Sequence, residues 1–197
     1  MLRNYPALPA VALSAGAGYV QPAPADLEHV TLEHPALSVM TDFRATTAVV
    51  ILPGDTVNEA HRRMIQRGVR LLLVVDQDRR VVGLVTATDI LGEKPMQVVT
   101  QRNVPRDELL VRDIMTHQKE LEALRIDALR SASVGHVVAT LKAAGRQHTL
   151  VVEPDADGGQ IVRGLFSATQ IARQLGVAIQ TDHVARTFSE IEAQLAH

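Results

Sequence analysis

The stretch Val81-Val-Gly-Leu-Val-Thr-Ala-Thr-Asp89 recurs later in the chain as Ile161-Val-Arg-Gly-Leu-Phe-Ser-Ala-Thr-Gln170. Internal self-similarity marks a repeated structural unit, and it outweighs any local propensity in deciding the fold. The likeness extends upstream. In the first copy, Thr56-Val-Asn-Glu-Ala-His-Arg-Arg-Met-Ile-Gln-Arg-Gly68 leads to Val69-Arg-Leu-Leu-Leu-Val-Val-Asp76. In the second, Ser133-Val-Gly-His-Val-Val-Ala-Thr-Leu-Lys-Ala-Ala-Gly145 leads to Arg146-Gln-His-Thr-Leu-Val-Val-Glu153. Met40-Thr41 stands before the first copy and Met115-Thr116 before the second. One difference is chemical: the first glycine motif ends on a carboxylate, Asp89, and the second on an amide, Gln170.

Each copy reads as strand, helix, strand, strand, helix. Val49 to Leu52 is a short β-branched run closed by the turn pair Pro53-Gly54. Thr56 is placed as an N-cap, with Glu59 completing a capping-box pattern, and Gly68 as the C-terminal stop. Val57, Ala60, Met64 and Ile65 recur at helical spacing between them. Leu71 to Val75 and Val81 to Val85 are apolar runs of strand length, and Thr86 or Thr88 opens the last helix. In the second copy Val134, Val137, Val138 and Leu141 form the apolar helical face. The expected fold class is α/β in the α+β sense. Two βαββα repeats pack with pseudo-twofold symmetry, their sheets facing each other across a cleft.

Composition narrows the function. Of 197 residues, 46% are hydrophobic but only 3% aromatic, so the core is built from Val, Leu, Ile and Ala. That speaks against aromatic stacking platforms for nucleic acid. A formal charge of −2 gives no general attraction to nucleic acid or to an anionic membrane. No cysteine is present, so thiol chemistry and disulfides are excluded. No apolar run reaches the roughly 20 residues that cross a bilayer. Ala7 to Val20 after Arg3 has a faint secretory-signal outline, but Pro6, Pro9, Gly16 and Gly18 break it. The N-terminal segment is therefore expected as a flexible arm, and the compartment as cytoplasmic. Val184, Phe188, Ile191 and Leu195 give the C-terminal segment one helical apolar stripe.

The glycine motif of the first copy carries the candidate chemistry. Gly83 permits close backbone approach. Thr86 and Thr88 offer hydroxyls near a helix N-terminus, whose free N–H groups favour an anion. Asp89 can accept hydrogen bonds from a vicinal diol. A nucleotide would suit this set, yet the same residues also read as an ordinary helix cap answering the helix dipole. Among the arginines near the first helix end, Arg70 is the candidate phosphate contact, because it begins a strand; Arg62, Arg63 and Arg67 read as a solvated face. His148 is either a cleft residue or a polar strand end. The histidines show no metal-binding pattern.

The ordered series resembles a tandem cystathionine-β-synthase (CBS) domain pair, or Bateman module. It is carried by Met40-Thr41, Pro53-Gly-Asp-Thr-Val-Asn-Glu-Ala60, Leu71-Leu-Leu-Val-Val-Asp76 and Val82-Gly-Leu-Val-Thr-Ala-Thr-Asp-Ile-Leu91. The resemblance covers residues 37 to 176. It implies an N-terminal arm over 1–36, a first CBS motif over 37–100, a linker and second motif over 101–176, and a C-terminal helix over 177–197. It also implies adenosine-containing ligands in the clefts between motifs, with Thr86 and Asp89 holding a ribose. The second copy departs from the pattern. Ser167 and Thr169 keep hydroxyls, but Gln170 lacks the acid; Leu73 and Leu150 stand where a proline is common, and Arg130 where the first copy has Pro53.

The resulting expectation is a stand-alone regulatory module, not an enzyme. Its first site comprises Arg70, Gly83, Thr86, Thr88 and Asp89. A weak second site comprises His148, Ser167, Thr169 and Gln170. No metal or obligatory cofactor is expected; AMP, ADP, ATP or S-adenosylmethionine would be the regulatory ligand. A homodimer and an unidentified regulated protein are the expected partners. The alternative is a ligand-free structural or protein-interaction module.

Overall fold

The computed structural model describes residues 30–156 and 158–177. The C-terminal helix expected over 177–197 lies outside the described residues, apart from Val177. Two four-stranded sheets carry seven described α-helices. The first copy contributes β2 (Val50–Ile51), α1 (Val57–Arg67), β3 (Leu71–Val75), β4 (Val81–Thr86) and α2 (Ala87–Leu91). The second contributes β6 (Ala123–Arg125), α5 (Ile126–Leu129), α6 (Val134–Ala143), β7 (His148–Pro154), β8 (Gln160–Ser167) and α7 (Ala168–Gln174). Two short strands, β1 (Thr41–Asp42) and β5 (Thr116–His117), precede the copies, and α3 (Lys94–Arg102) and α4 (Val111–Ile114) lie between them.

The local signals account for α1. Thr56 accepts a hydrogen bond from the Glu59 N–H at 3.1 Å, and Gly68 ends the helix in the left-handed region at φ 63°. Val57, Ala60 and Met64 are buried. Ile65 is 69% exposed, although its spacing places it beside Met64, because the buried stripe is narrower than the apolar run. Glu59 does not close the expected box; it pairs with Arg62 and Arg63 instead.

All five residues of β3 are buried because both faces are covered. Leu72 and Val74 pack under helices with Val57, Ala60 and Ile90. Leu71, Leu73 and Val75 face the other sheet and meet Leu150 of β7. The helices of the second copy close a matching core around Val134, Leu141, Val151, Phe166 and Ile171.

The strands are exchanged between the halves. The first sheet runs β2-β3-β4-β5 and the second β1-β8-β7-β6. Thus β1 pairs with β8 of the second copy, Thr41 opposite Leu165, and β5 pairs with β4 of the first, Thr116 opposite Leu84. The segments before these strands follow suit. The His34 carbonyl accepts from the Val134 N–H, and the Leu109 carbonyl from the Val57 N–H, both at 2.9 Å. Residues 30–36, expected as part of a flexible arm, therefore cover α6, with Ala36 buried and Val30 and Leu32 packed on the core. A division after residue 100 falls inside α3, so strand pairing defines the halves better than that position does.

Candidate functional site

Where the sheets meet, two clefts open between the copies. The first, of about 290 Å³, is lined by Thr86, Thr88 and Asp89 of the first copy, and by residues 145–150 of the second. The segment after β5 closes it with Glu120, Leu121 and Glu122. The second, of about 420 Å³, places Ser167, Thr169 and Gln170 opposite residues 68–71 of the first copy. Each cleft thus joins one copy's last helix start to the other copy's helix-to-strand turn.

Asp89 is held by its own helix. Its Oδ2 accepts from the Thr86 N–H at 2.9 Å and the Thr86 hydroxyl at 2.6 Å. The Asp89 N–H donates back to Thr86 Oγ1 at 3.2 Å. This reciprocal capping box satisfies groups at the start of α2. Oδ1 takes an ion pair from Lys94 Nζ; the carboxylate side chain is 12% exposed and the lysine 49%. The arrangement leaves the acid pre-positioned in the cleft, with only a partly solvated amine on its second oxygen.

The amide in the second cleft behaves differently. Gln170 Oε1 accepts from the Thr41 hydroxyl at 3.0 Å, and Ser167 makes no side-chain cap to α7. The acid-to-amide difference therefore removes the cap and redirects the side chain to the exchanged strand β1.

Several expected site residues fall elsewhere than the sequence reading placed them. Arg70, expected beside Asp89, lines the second cleft with Gln170, because the end of α1 faces the opposite copy's last helix. Gly83 lines neither cleft. It does serve close backbone approach, but to this chain's own strand: a Cβ there would lie 2.6 Å from the Thr116 carbonyl oxygen. Thr86, Thr88 and Asp89 do share one cleft, and Ser167, Thr169 and Gln170 the other.

His148, expected in the second site, lines both clefts. Burial lowers its imidazole from 6.5 to about 4; the Arg70 guanidinium pushes the same way and the Asp89 carboxylate opposes it. The ring is thus neutral at pH 7. Sequence reasoning missed Glu120, Glu122, Arg146 and Thr149, which complete the first cleft, and Arg173 and Gln174 in the second. The repeat itself held the signal, since residues 146–149 align with 69–72. Among the described residues, no cluster of three or more His, Asp or Glu could hold a metal ion. None of their helices is long and apolar enough to cross a membrane.

The CBS domain family model matches residues 38–95. An uncharacterized protein of Methanopyrus kandleri, MK0525, is 31% identical over 68 residues, covering 34% of this chain and 35% of that protein. The chain thus spans about a third of the length of this curated relative. Among solved structures, an uncharacterized conserved protein from Pyrococcus horikoshii aligns with a TM-score of 0.54 at 23% identity, covering 78% of this chain and all of that one. CBSX2 of Arabidopsis thaliana in complex with AMP aligns at 0.50 and 21% identity, covering 71% and 94%. The CBS domain pair of protein MJ0100, in complex with 5′-methylthioadenosine and S-adenosyl-L-methionine, aligns at 0.50 and 18% identity, covering 75% and 97%. The family match, the internal repeat and the exchanged sheets agree: residues 38–95 match the CBS domain model, and the chain has the fold of a tandem CBS pair.

Proposed function

We propose that this CBS pair is a regulatory module that binds an adenosine-containing ligand in the first cleft, with the ribose on Asp89. One observation carries the reading: a nearly buried carboxylate, fixed by its own helix cap, lines a cleft between the copies. Leu84, Leu121 and Leu150 supply apolar wall for a base. The adenosine compounds bound by CBSX2 and by the MJ0100 pair support the ligand class.

Charge ranks the candidates. Asp89, Glu120 and Glu122 line the cleft, against Arg146 and a neutral His148, and Arg146 already pairs with Glu122 at 3.0 Å. An acidic cleft favours ligands with little negative charge. Adenosine, AMP and S-adenosylmethionine should therefore rank above ADP and ATP. Binding regulates only if the ligand distinguishes two states of the module or of its partner complex. The reading assigns no turnover to the cleft.

Self-association belongs to the same proposal. Ile65, Leu91 and Met96 stand exposed on helices of the first half, and a C₂ dimer is the commonest way to cover such a face. Light scattering that finds only monomer at high concentration would remove this part.

A second reading, a ligand-free interaction scaffold, draws on the Lys94 ion pair, which already occupies Asp89. Calorimetric titration with adenosine, AMP, ATP and S-adenosylmethionine separates the two. The sensor reading expects saturable binding that weakens about tenfold or more in Asp89→Asn. No heat with any adenine compound leaves only the scaffold.

A further inference from the structure

Both oxygens of Asp89 are taken. Oδ2 accepts from the Thr86 N–H and hydroxyl, and Oδ1 accepts from the Lys94 ammonium. A vicinal diol needs an acceptor, so a ribose reaches this carboxylate only by displacing one of them. The Thr86 bonds close the cap of α2. The ammonium is the more solvated partner, with the Lys94 side chain 49% exposed against 12% for Asp89, and water can take over its hydrogen bonds. Lys94 is therefore the group that yields.

Lys94 is also the first residue of α3, joined to α2 through Gly92 and Glu93. The start of that helix has little other support. Glu93 gives no side-chain cap, and no acid stands in the first turn. A cation at a helix start opposes the helix dipole, so Lys94 is favourable there only while Asp89 answers it. The far end of α3 is fastened in the same manner. Arg102 pairs with Asp113, whose other oxygen accepts from the Leu110 N–H just ahead of α4 at 2.9 Å. Each end of α3 is thus tied to an acid that serves a neighbouring helix start, and of the two acids it is Asp89 that lines the first cleft.

We infer that the Lys94–Asp89 ion pair is an autoinhibitory latch: a diol-bearing ligand in the first cleft displaces Lys94 and releases the start of α3, which pivots on its Arg102–Asp113 end. The inference rests on the adenosine reading of that cleft and supplies the two states that regulation requires, α3 latched without ligand and unlatched with it. Val98 and Val99, packed on the core of the first half, are the contacts that loosen. The second half is built otherwise. There Gln170 takes its hydrogen bond from the Thr41 hydroxyl, on an exchanged strand rather than on a following helix.

The test pairs calorimetry with amide hydrogen exchange on the full chain, with adenosine as the ligand. The amides from Gln97 to Arg102 report the latch. Saturating adenosine should speed their exchange about two- to fivefold, the worth of one half-exposed ion pair. The core strands of the first half should gain protection at the same time, as ligand binding stabilises the folded state. In Lys94→Met, α3 exchanges fast without ligand and adenosine adds nothing. Lys94→Arg, which keeps the cation, restores the response. Adenosine that binds with heat yet leaves α3 unchanged in the wild type overturns the latch and spares the adenosine reading. Absence of heat rejects that reading, and the ligand-free comparison then decides: Lys94→Met exchanging like wild type overturns the latch, whereas faster exchange confined to α3 supports it.

Discussion

The Thr41 hydroxyl donates to Gln170 Oε1 at 3.0 Å, tying the strand that leads into the first copy to the last helix of the second. Its counterpart, Thr116, lines the first cleft with Asp89, yet Asp89 turns to Thr86 and Lys94 instead. The two copies therefore spend the equivalent position differently. Where the residue is an acid, it caps its own helix and stays in the cleft. Where it is an amide, it fastens an exchanged strand.

Replacing Thr41 by Val keeps the shape and removes this donor. The loss expected is about 1 kcal/mol, the net worth of one partly buried hydrogen bond. Thr116→Val, which removes no such side-chain bond among the described residues, should cost less. Urea midpoints at unchanged slope would compare the two.

The exchange itself depends on two glycines. A Cβ on Gly83 would meet the Thr116 carbonyl oxygen at 2.6 Å, and one on Gly164 would meet the carbonyl oxygen of Thr41. Backbone cannot yield as a side-chain tip can. Gly83→Ala and Gly164→Ala should each cost about 1–3 kcal/mol, by prying β5 from β4 and β1 from β8. Thermal unfolding that left both variants unchanged would mean that these strand pairings contribute little.

Lys94 competes for the oxygen on Asp89 that a ribose hydroxyl would need. As a half-exposed ion pair it contributes no more than about 1 kcal/mol to stability. Lys94→Met should therefore barely move the unfolding midpoint. It should raise affinity for adenosine, which carries no phosphate that a lysine could favour. Affinity that instead falls would make Lys94 a ligand contact rather than a competitor.

The sequence carries the elements whose signals are local. Leu71 to Val75, the Thr56 and Thr86 caps and the Gly68 stop all lie where periodicity and cap chemistry put them. The pairing of β1 and β5 was not readable, because two-residue strands carry no alternation. Their only trace was Met-Thr repeated ahead of each copy. For the same reason the sequence alone points Arg70 to the cleft of its own copy, whereas it lines the other. Which copy a helix end faces is settled by packing between the halves, and no local pattern encodes that. The helix Lys94–Arg102 went unread because its apolar residues fall outside the repeat.

His148 should make stability depend on pH. Its folded value, about 4, lies below the ordinary 6.5. Between those values the unfolded chain binds a proton that the folded chain does not, so stability rises with pH across that window. The contribution is fully present above 6.5 and lost as pH falls toward 4. Between pH 7 and pH 4.5 the loss from this one ring is about 2 kcal/mol. Carboxylates titrate over part of the same range, so the informative quantity is the difference between wild type and His148→Gln. Urea unfolding at both pH values should show the variant losing about 2 kcal/mol less than wild type on acidification. Equal losses would mean that the imidazole reaches water in the folded protein, and that the wall it forms between the two clefts is open.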